Sequence, residues 1–233
     1  MTVQTALKID QLEFGWQPGK TILSIPTLTL NRGESLFIRG PSGSGKSTLL
    51  NLMSGVLRLP SGNIQLLEQP FSSWNDKHRD QFRSDHIGYI FQQFNLLPYL
   101  SVLDNVLLPC RISAHRRARA QQQHNTVEES ARTWLSLLNI PSRLFEQKIS
   151  NLSVGQQQRV AAARALIGEP EIIIADEPTS ALDQDNVDNF MDVLTSQCRN
   201  IRSSLIFVSH DRHLSQFLEH IHELPGDSQE EVI

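Results

Sequence analysis

The chemistry available to this chain is concentrated in a glycine-rich run, one lysine and two adjacent carboxylates. Gly40-Pro41-Ser42-Gly43-Ser44-Gly45-Lys46-Ser47-Thr48 fits the pattern G-x-x-x-x-G-K-[ST], in which glycines let successive backbone N–H groups turn inward around phosphate oxygens. Lys46 brings a cation that can reach terminal phosphates, and the Ser47 hydroxyl is a suitable oxygen ligand for Mg²⁺. Much later, Ile172-Ile173-Ile174-Ala175-Asp176-Glu177 is an apolar run closed by two acids. Beside a phosphate loop, Asp176 is a second candidate metal ligand, and Glu177 is a candidate base that orients or deprotonates an attacking water. The expected ligand is a nucleoside triphosphate with Mg²⁺.

These residues need a scaffold that delivers them to one place, and the hydrophobic pattern supplies it. Residues 7–14, 21–30 and 35–38 read as strands separated by Gly15, Pro18-Gly19 and Arg32-Gly33. Leu49, Leu50, Met53 and Val56 recur at helical spacing, so a helix over 46–57 is expected directly after the glycine-rich loop. A helix N-terminus adds its own positive potential at bound phosphate. Ser101-x-x-Asp104 opens another helix, and Val127, Ala131, Trp134, Leu135 and Leu138 mark the apolar face of a further one. The basic tract His115-Arg116-Arg117-Ala118-Arg119 is expected on a solvated helix face. A helix over 155–167, a strand over 171–175, a helix over 185–198 and a strand over 204–208 follow. Alternating strands and helices predict an α/β fold with a mostly parallel sheet.

Composition narrows the functional classes. The 233 residues carry a formal net charge of -4, and the isoelectric point is about 6.1. Such a chain has no global attraction for nucleic acid, and none is expected as a partner. Apolar runs are strand-length, well short of the ~20 residues that cross a bilayer. The first ten residues lack the pattern of a secretory signal, so a cytoplasmic location is expected. Residues 226–233 are polar and few, which predicts no appended regulatory domain. Cys110 and Cys198 are the two cysteines, expected as reduced buried thiols. Neither His210 with His213 nor His220 with His222 has a thiol or carboxylate completing a metal set.

The remaining motifs resemble the ABC ATPase family, in the expected order and over essentially the whole chain. Leu152-Ser153-Val154-Gly155-Gln156 resembles the family signature, usually L-S-G-G-Q, and Gln92 after Ile87-Gly88-Tyr89-Ile90-Phe91 resembles the Q-loop glutamine. Ser180-Ala181-Leu182-Asp183 is similar to the D-loop, His210 to the switch histidine, and Trp16 to the aromatic that stacks on adenine. The resemblance implies a P-loop NTPase core at 1–92 and 168–233, an N-terminal antiparallel β region and a helical subdomain at 93–167. It implies ATP and Mg²⁺, with Gln92 joining Ser47 and Asp176 at the metal and His210 at the γ-phosphate. It also implies that the signature residues Ser153, Gly155 and Gln156 serve the ATP of a second copy of the chain, and that Asp183 is a further nucleotide-binding residue.

One position departs from the family: Val154 stands where the signature has glycine, and a β-branched residue disfavours positive φ and crowds the phosphate side. Within the family, the stretch from Ile87 to Pro98 and the following Leu103-Asp104-Asn105-Val106-Leu107-Leu108-Pro109 resemble the branch that includes the MacB and LolD ATPases. That branch implies an integral membrane permease, FtsX- or MacB-like, as partner. ATPases of polar amino-acid importers and the cell-division ATPase FtsE are the neighbouring alternatives. A soluble ABC ATPase acting on DNA or ribosomes usually carries two cassettes or a long coiled coil, and neither is present. Phe94, Leu96, Leu97 and Tyr99 are expected either at the permease contact or in the core.

Overall fold

A computed structural model describes residues 4–17, 19–180 and 184–225, apart from the side chains of Gln184 and Asp185. Near the N-terminus, β1 (Thr5–Phe14) lies between β2 (Leu23–Asn31) and β4 (Ser61–Leu66) in an antiparallel sheet. Leu7 and Ile9 point inward at odd positions, whereas Leu12 and Phe14 point inward at even ones. An irregularity in the β1–β4 register between Asp10 and Glu13 accounts for the switch, with Gln11 at φ 49°. The extra residue of such a bulge changes which face a side chain occupies. Phe14 is thereby buried, and the chain leaves the strand towards Trp16.

The second sheet comprises β3 (Ser35–Arg39), β5 (Ile87–Ile90), β6 (Ile172–Asp176), β7 (Ser204–Val208) and β8 (His220–Glu223), in the order β5-β6-β7-β3-β8. Every pairing within it is parallel. Side-chain alternation divides its apolar residues between two cores. Leu36, Ile38, Ile172, Ile174, Ile206 and Val208 pack towards the antiparallel sheet and α1 (Lys46–Met53). Phe37, Ile173, Ala175, Leu205 and Phe207 pack towards the helices on the other side.

Those helices are α3 (Val102–Ile112), α4 (Ala114–Gln123), α5 (Val127–Leu137), α6 (Val154–Leu166) and α7 (Gln184–Asn200), while α2 (Asp76–His86) precedes β5. The start of α3 is as expected: Ser101 Oγ accepts the Asp104 N–H at 3.0 Å and donates to the Asp104 carboxylate at 2.8 Å. Cys110 and Cys198 are buried free thiols.

Two expectations are corrected. Helix α1 stops at Met53, and Val56 is exposed, because the chain turns through Gly55 at φ 71° before a third helical turn can be completed. The basic tract is not a uniformly solvated face. Arg116 is buried, and its guanidinium donates to the carbonyls of Ala165, at 2.6 Å, and Ile167, at 2.9 Å. Carbonyls in the last turn of a helix lack intrahelical partners, and Arg116 satisfies those at the end of α6. Burial pushes its guanidinium down to about 10.

Candidate functional site

In a parallel sheet the strands all end at one edge, and ligands bind beyond their carboxyl ends. Four adjacent strands bring the candidate residues there: β3 leads into the glycine-rich loop, β7 to His210, β6 to Asp176 and Glu177, and β5 to Gln92. Together they line a cavity of about 620 Å³ with Ser42, Gly43, Gly45, Lys46, Ser47, Thr48, Trp16 and Ile22. That volume is in the range of small-molecule sites.

The loop is built by conformations that side chains disfavour. Gly43 and Gly45 have φ of 82° and 87°, and a Cβ on Gly45 would come within 2.7 Å of the Leu23 side chain. Gly45 is also the N-cap of α1 and supplies no side chain to bond the first helical N–H groups, which leaves them for an anion. Lys46 Nζ donates to the carbonyls of Gly40 and Pro41, each at 2.8 Å. Both acceptors are neutral carbonyls, so neither sets a negative charge against the ammonium. Gly40 and Pro41 thus hold the lysine rather than line the cavity, and Ser44 is buried with its Oγ unpartnered among the described residues.

The acidic side of the cavity has the opposite character. Burial, and then the neighbouring charge of Glu177, raise the Asp176 carboxyl above its ordinary value, while Lys46 opposes the shift. A cation beside Asp176 would favour its charged form. Glu177 has φ 41°, a conformation that costs a non-glycine residue about 1–3 kcal/mol. Its N–H donates to the Val208 carbonyl at 2.9 Å, which ties the strained residue to β7. Its Oε2 lies 3.2 Å from His210 Nδ1, so the two residues are already in contact.

Trp16 is 61 % exposed and meets Phe14 edge-on, with ring centroids 5.1 Å apart and planes at 90°. Gln92 is exposed at the cavity. Beyond it, Phe94 and Asn95 are successive residues at positive φ, 59° and 47°. Arg164 of α6 donates to both of their carbonyls, at 2.5 and 2.7 Å. Phe94 is buried whereas Tyr99 is 72 % exposed, so this segment divides between core and surface.

Ser153, Gly155 and Gln156 do not line the cavity. They open α6: Ser153 Oγ accepts the Gln156 N–H at 3.3 Å, and Gln156 Oε1 accepts the Ser153 N–H at 3.0 Å. This reciprocal pair leaves Ser153 and Val154 exposed at the helix N-terminus. The concern about Val154 backbone geometry is corrected, since neither it nor Gly155 has positive φ and Val154 simply begins the helix. Asp183, with Ala181 and Leu182, lies outside the described residues.

Several residues were not singled out by sequence reasoning. Ile22 lines the cavity but reads as an ordinary strand residue. Gln158 is fully buried, with Nε2 donating to the Pro178 carbonyl at 3.0 Å. Its spacing with the buried Ala161, Ala162 and Ala165 is a signal that it faces inward. His86, His115 and Glu171 bring potential ligand atoms within 4.8 Å of one another. Glu171 already bonds His86 at 2.9 Å and Arg119. Burial opposes its ionisation, but the His86 bond and Arg119 charge prevail and hold it at about 2. An ion-pair network accounts for that cluster.

Residues 23–180 match the family model described as ABC transporter. The lipoprotein-releasing system ATP-binding protein LolD of Saccharophagus degradans is 36% identical over 197 residues, covering 84% of this chain and 83% of that protein. The uncharacterized ABC transporter ATP-binding protein YbbA of Escherichia coli K12 is 36% identical over 218 residues, covering 92% of each. Among solved structures, the dimeric ATP-binding cassette MJ0796 in a post-hydrolysis state, bound to ADP and Pi, superimposes with a TM-score of 0.80. It is 33% identical, and the match covers 94% of each chain.

Proposed function

This chain belongs to the ABC transporter family as an ATP-binding and ATP-hydrolysing subunit, and on that premise we propose that two copies clasp two ATP molecules between them to drive a membrane permease. The observation that carries this reading is a division of labour. Lys46, Asp176, Glu177, His210 and Gln92 converge on one cavity, while Ser153 and Gly155 stand away from it on the N-terminus of α6. A capped helix end with its dipole directed outward suits the phosphate of a partner's nucleotide.

Within each site, the loop amides and Lys46 bind the phosphates, Trp16 stacks on adenine, Glu177 directs water, and His210 contacts both Glu177 and the γ-phosphate. Ser47, Asp176 and Gln92 would hold Mg²⁺, and the raised Asp176 carboxyl fits that assignment. When bound, the ion neutralises phosphate charge. Asp183 is a further nucleotide-binding residue of this reading. Residues 1–92 and 168–233 form the nucleotide-binding core of this reading, and 93–167 form its helical lobe.

The permease is of the FtsX or MacB type, serving lipoprotein release, efflux or the transmission of motion across the membrane. Similarity to LolD supports this choice, as does the exposed Tyr99, which offers an aromatic contact beyond Gln92. No helix among the described residues is long and apolar enough to cross a membrane. The permease therefore holds this subunit at the inner face of the cell membrane.

The decisive experiment uses Glu177→Gln, which keeps shape but removes the proton acceptor. Turnover should fall by about 10²–10⁴-fold while ATP still binds. Light scattering should detect a monomer without nucleotide and a dimer with ATP, and adding Ser153→Arg should abolish that shift. Normal turnover in Glu177→Gln would overturn the chemistry, and an ATP-induced dimer that persists with Ser153→Arg would overturn the sandwich.

A further inference from the structure

Gln158 sits on α6, a little more than one turn beyond Ser153. Its amide is aimed at the loop that leaves β6, where Nε2 donates to the Pro178 carbonyl at 3.0 Å. The acceptor is a carbonyl oxygen, so the nitrogen must face it and the orientation of the amide follows from chemistry. On the opposite side, Oε1 is buried without a partner among the described residues. Buried polar groups are nearly always paired, and leucine or methionine would fill this interior position with no orphan oxygen. What the glutamine provides and they do not is the bond to Pro178.

Pro178 directly follows Glu177, whose positive φ makes its conformation dependent on its surroundings. The Glu177 N–H is tied to Val208 on β7, and the carbonyl of the following residue, Pro178, is tied to Gln158 on α6. The backbone carrying the carboxylate is therefore gripped from both sides by different elements. We propose that Gln158 is a positioning residue that sets the direction of the Glu177 carboxylate. Because α6 begins at Ser153, Gln158 also relays engagement of the partner's nucleotide to the chain's own Glu177. The inference rests on the two-chain reading above and names the side chain that couples its two ATP sites.

The test compares Gln158→Met, Gln158→Glu and Glu177→Gln in the full chain. Methionine retains bulk and removes the donor. Its melting temperature and ATP Kd should stay close to wild type, kcat should fall by about tenfold or more, and the Hill coefficient for ATP should drop towards 1. Glutamate supplies a second signature: its protonated carboxyl can donate to Pro178, and its carboxylate cannot. Turnover of Gln158→Glu relative to wild type should therefore decline as pH rises. A folded Gln158→Met with wild-type kcat and Hill coefficient would refute the proposal. If methionine prevents folding, a Gln158→Glu to wild-type ratio that is constant with pH refutes it instead. Glu177→Gln separates the two levels: retained turnover there sinks the hydrolytic reading, whereas its loss beside unaffected Gln158 variants sinks the positioning role alone.

Discussion

Replacing Trp16 with alanine should weaken ATP binding without slowing hydrolysis at saturation. The indole is 61 % exposed at the cavity, and its contact with Phe14 is edge-on at 90°. That geometry leaves an indole face open to a base. Stacking of a base on an aromatic side chain is worth about 1–3 kcal/mol by alanine substitution, which corresponds to a roughly 5- to 150-fold rise in Kd. The fold should lose much less. The contact between Phe14 and Trp16 contributes at most about 0.5–1.5 kcal/mol beyond buried area, and most of the indole is already in water.

Isothermal titration with ATP and the Glu177→Gln background measures the affinity without turnover. GTP should suffer a similar loss, because the face of an aromatic ring tolerates base identity. Trp74 and Trp134 should be changed to phenylalanine before Trp16 fluorescence is used as a reporter, since the chain has 3 tryptophans. A Kd within about twofold of wild type would refute the stacking assignment, being smaller than the low end of the stacking range. A fall in kcat at saturating ATP would refute the division between base binding by Trp16 and chemistry by Lys46, Glu177 and His210.

Asp176→Asn should raise the melting temperature of the nucleotide-free protein at neutral pH and remove its stabilisation by Mg²⁺ with ATP. The sign follows from the raised carboxyl: its favourable contribution is full below the unfolded-state pKa and is lost as pH rises through the folded one, so the gain should vanish in acid. Thermal melts across pH check both limbs. Arg116→Met leaves the Ala165 and Ile167 carbonyls without their donor, at about 1–3 kcal/mol each, and returns part of that through relief of a buried cation. A net loss of about 1–3 kcal/mol in urea denaturation is expected. Tyr99→Glu should leave ATPase activity of the isolated subunit intact and reduce permease-coupled activity in proteoliposomes, whereas Phe94→Glu should impair folding because Phe94 is buried.

The phosphate loop and the β6 carboxylates were legible because each is a contiguous spelling in a simple context. Lys46 sits between a strand and a helix, and Asp176 ends an apolar run. The parallel sheet then makes their convergence a matter of strand polarity. Arg116 was not legible, since helical spacing places it among basic neighbours and only the docking of α4 against the end of α6 buries it. Val56 misled for a related reason: its spacing continues the α1 stripe, but Gly55 turns the chain first. Gln158 is one of three successive glutamines, and choosing among them requires the phase of α6 relative to its alanine face. The grouping of His86, His115 and Glu171 depends on elements distant in sequence and left no local trace.

The paired left-handed residues Phe94 and Asn95 make the segment after Gln92 depend on a neighbouring element for its shape. An extended or helical path would suit these residues better, yet both carbonyls are caught by one guanidinium from α6. Arg164 holds them through its two terminal nitrogens, Nη2 on Phe94 and Nη1 on Asn95, so the course of this segment is tied to α6 at two successive residues. The path from Gln92 at the cavity to the exposed Tyr99 is thus anchored to the last turn of the same helix whose N-terminus presents Ser153, so one rigid element holds both surfaces in a fixed relation.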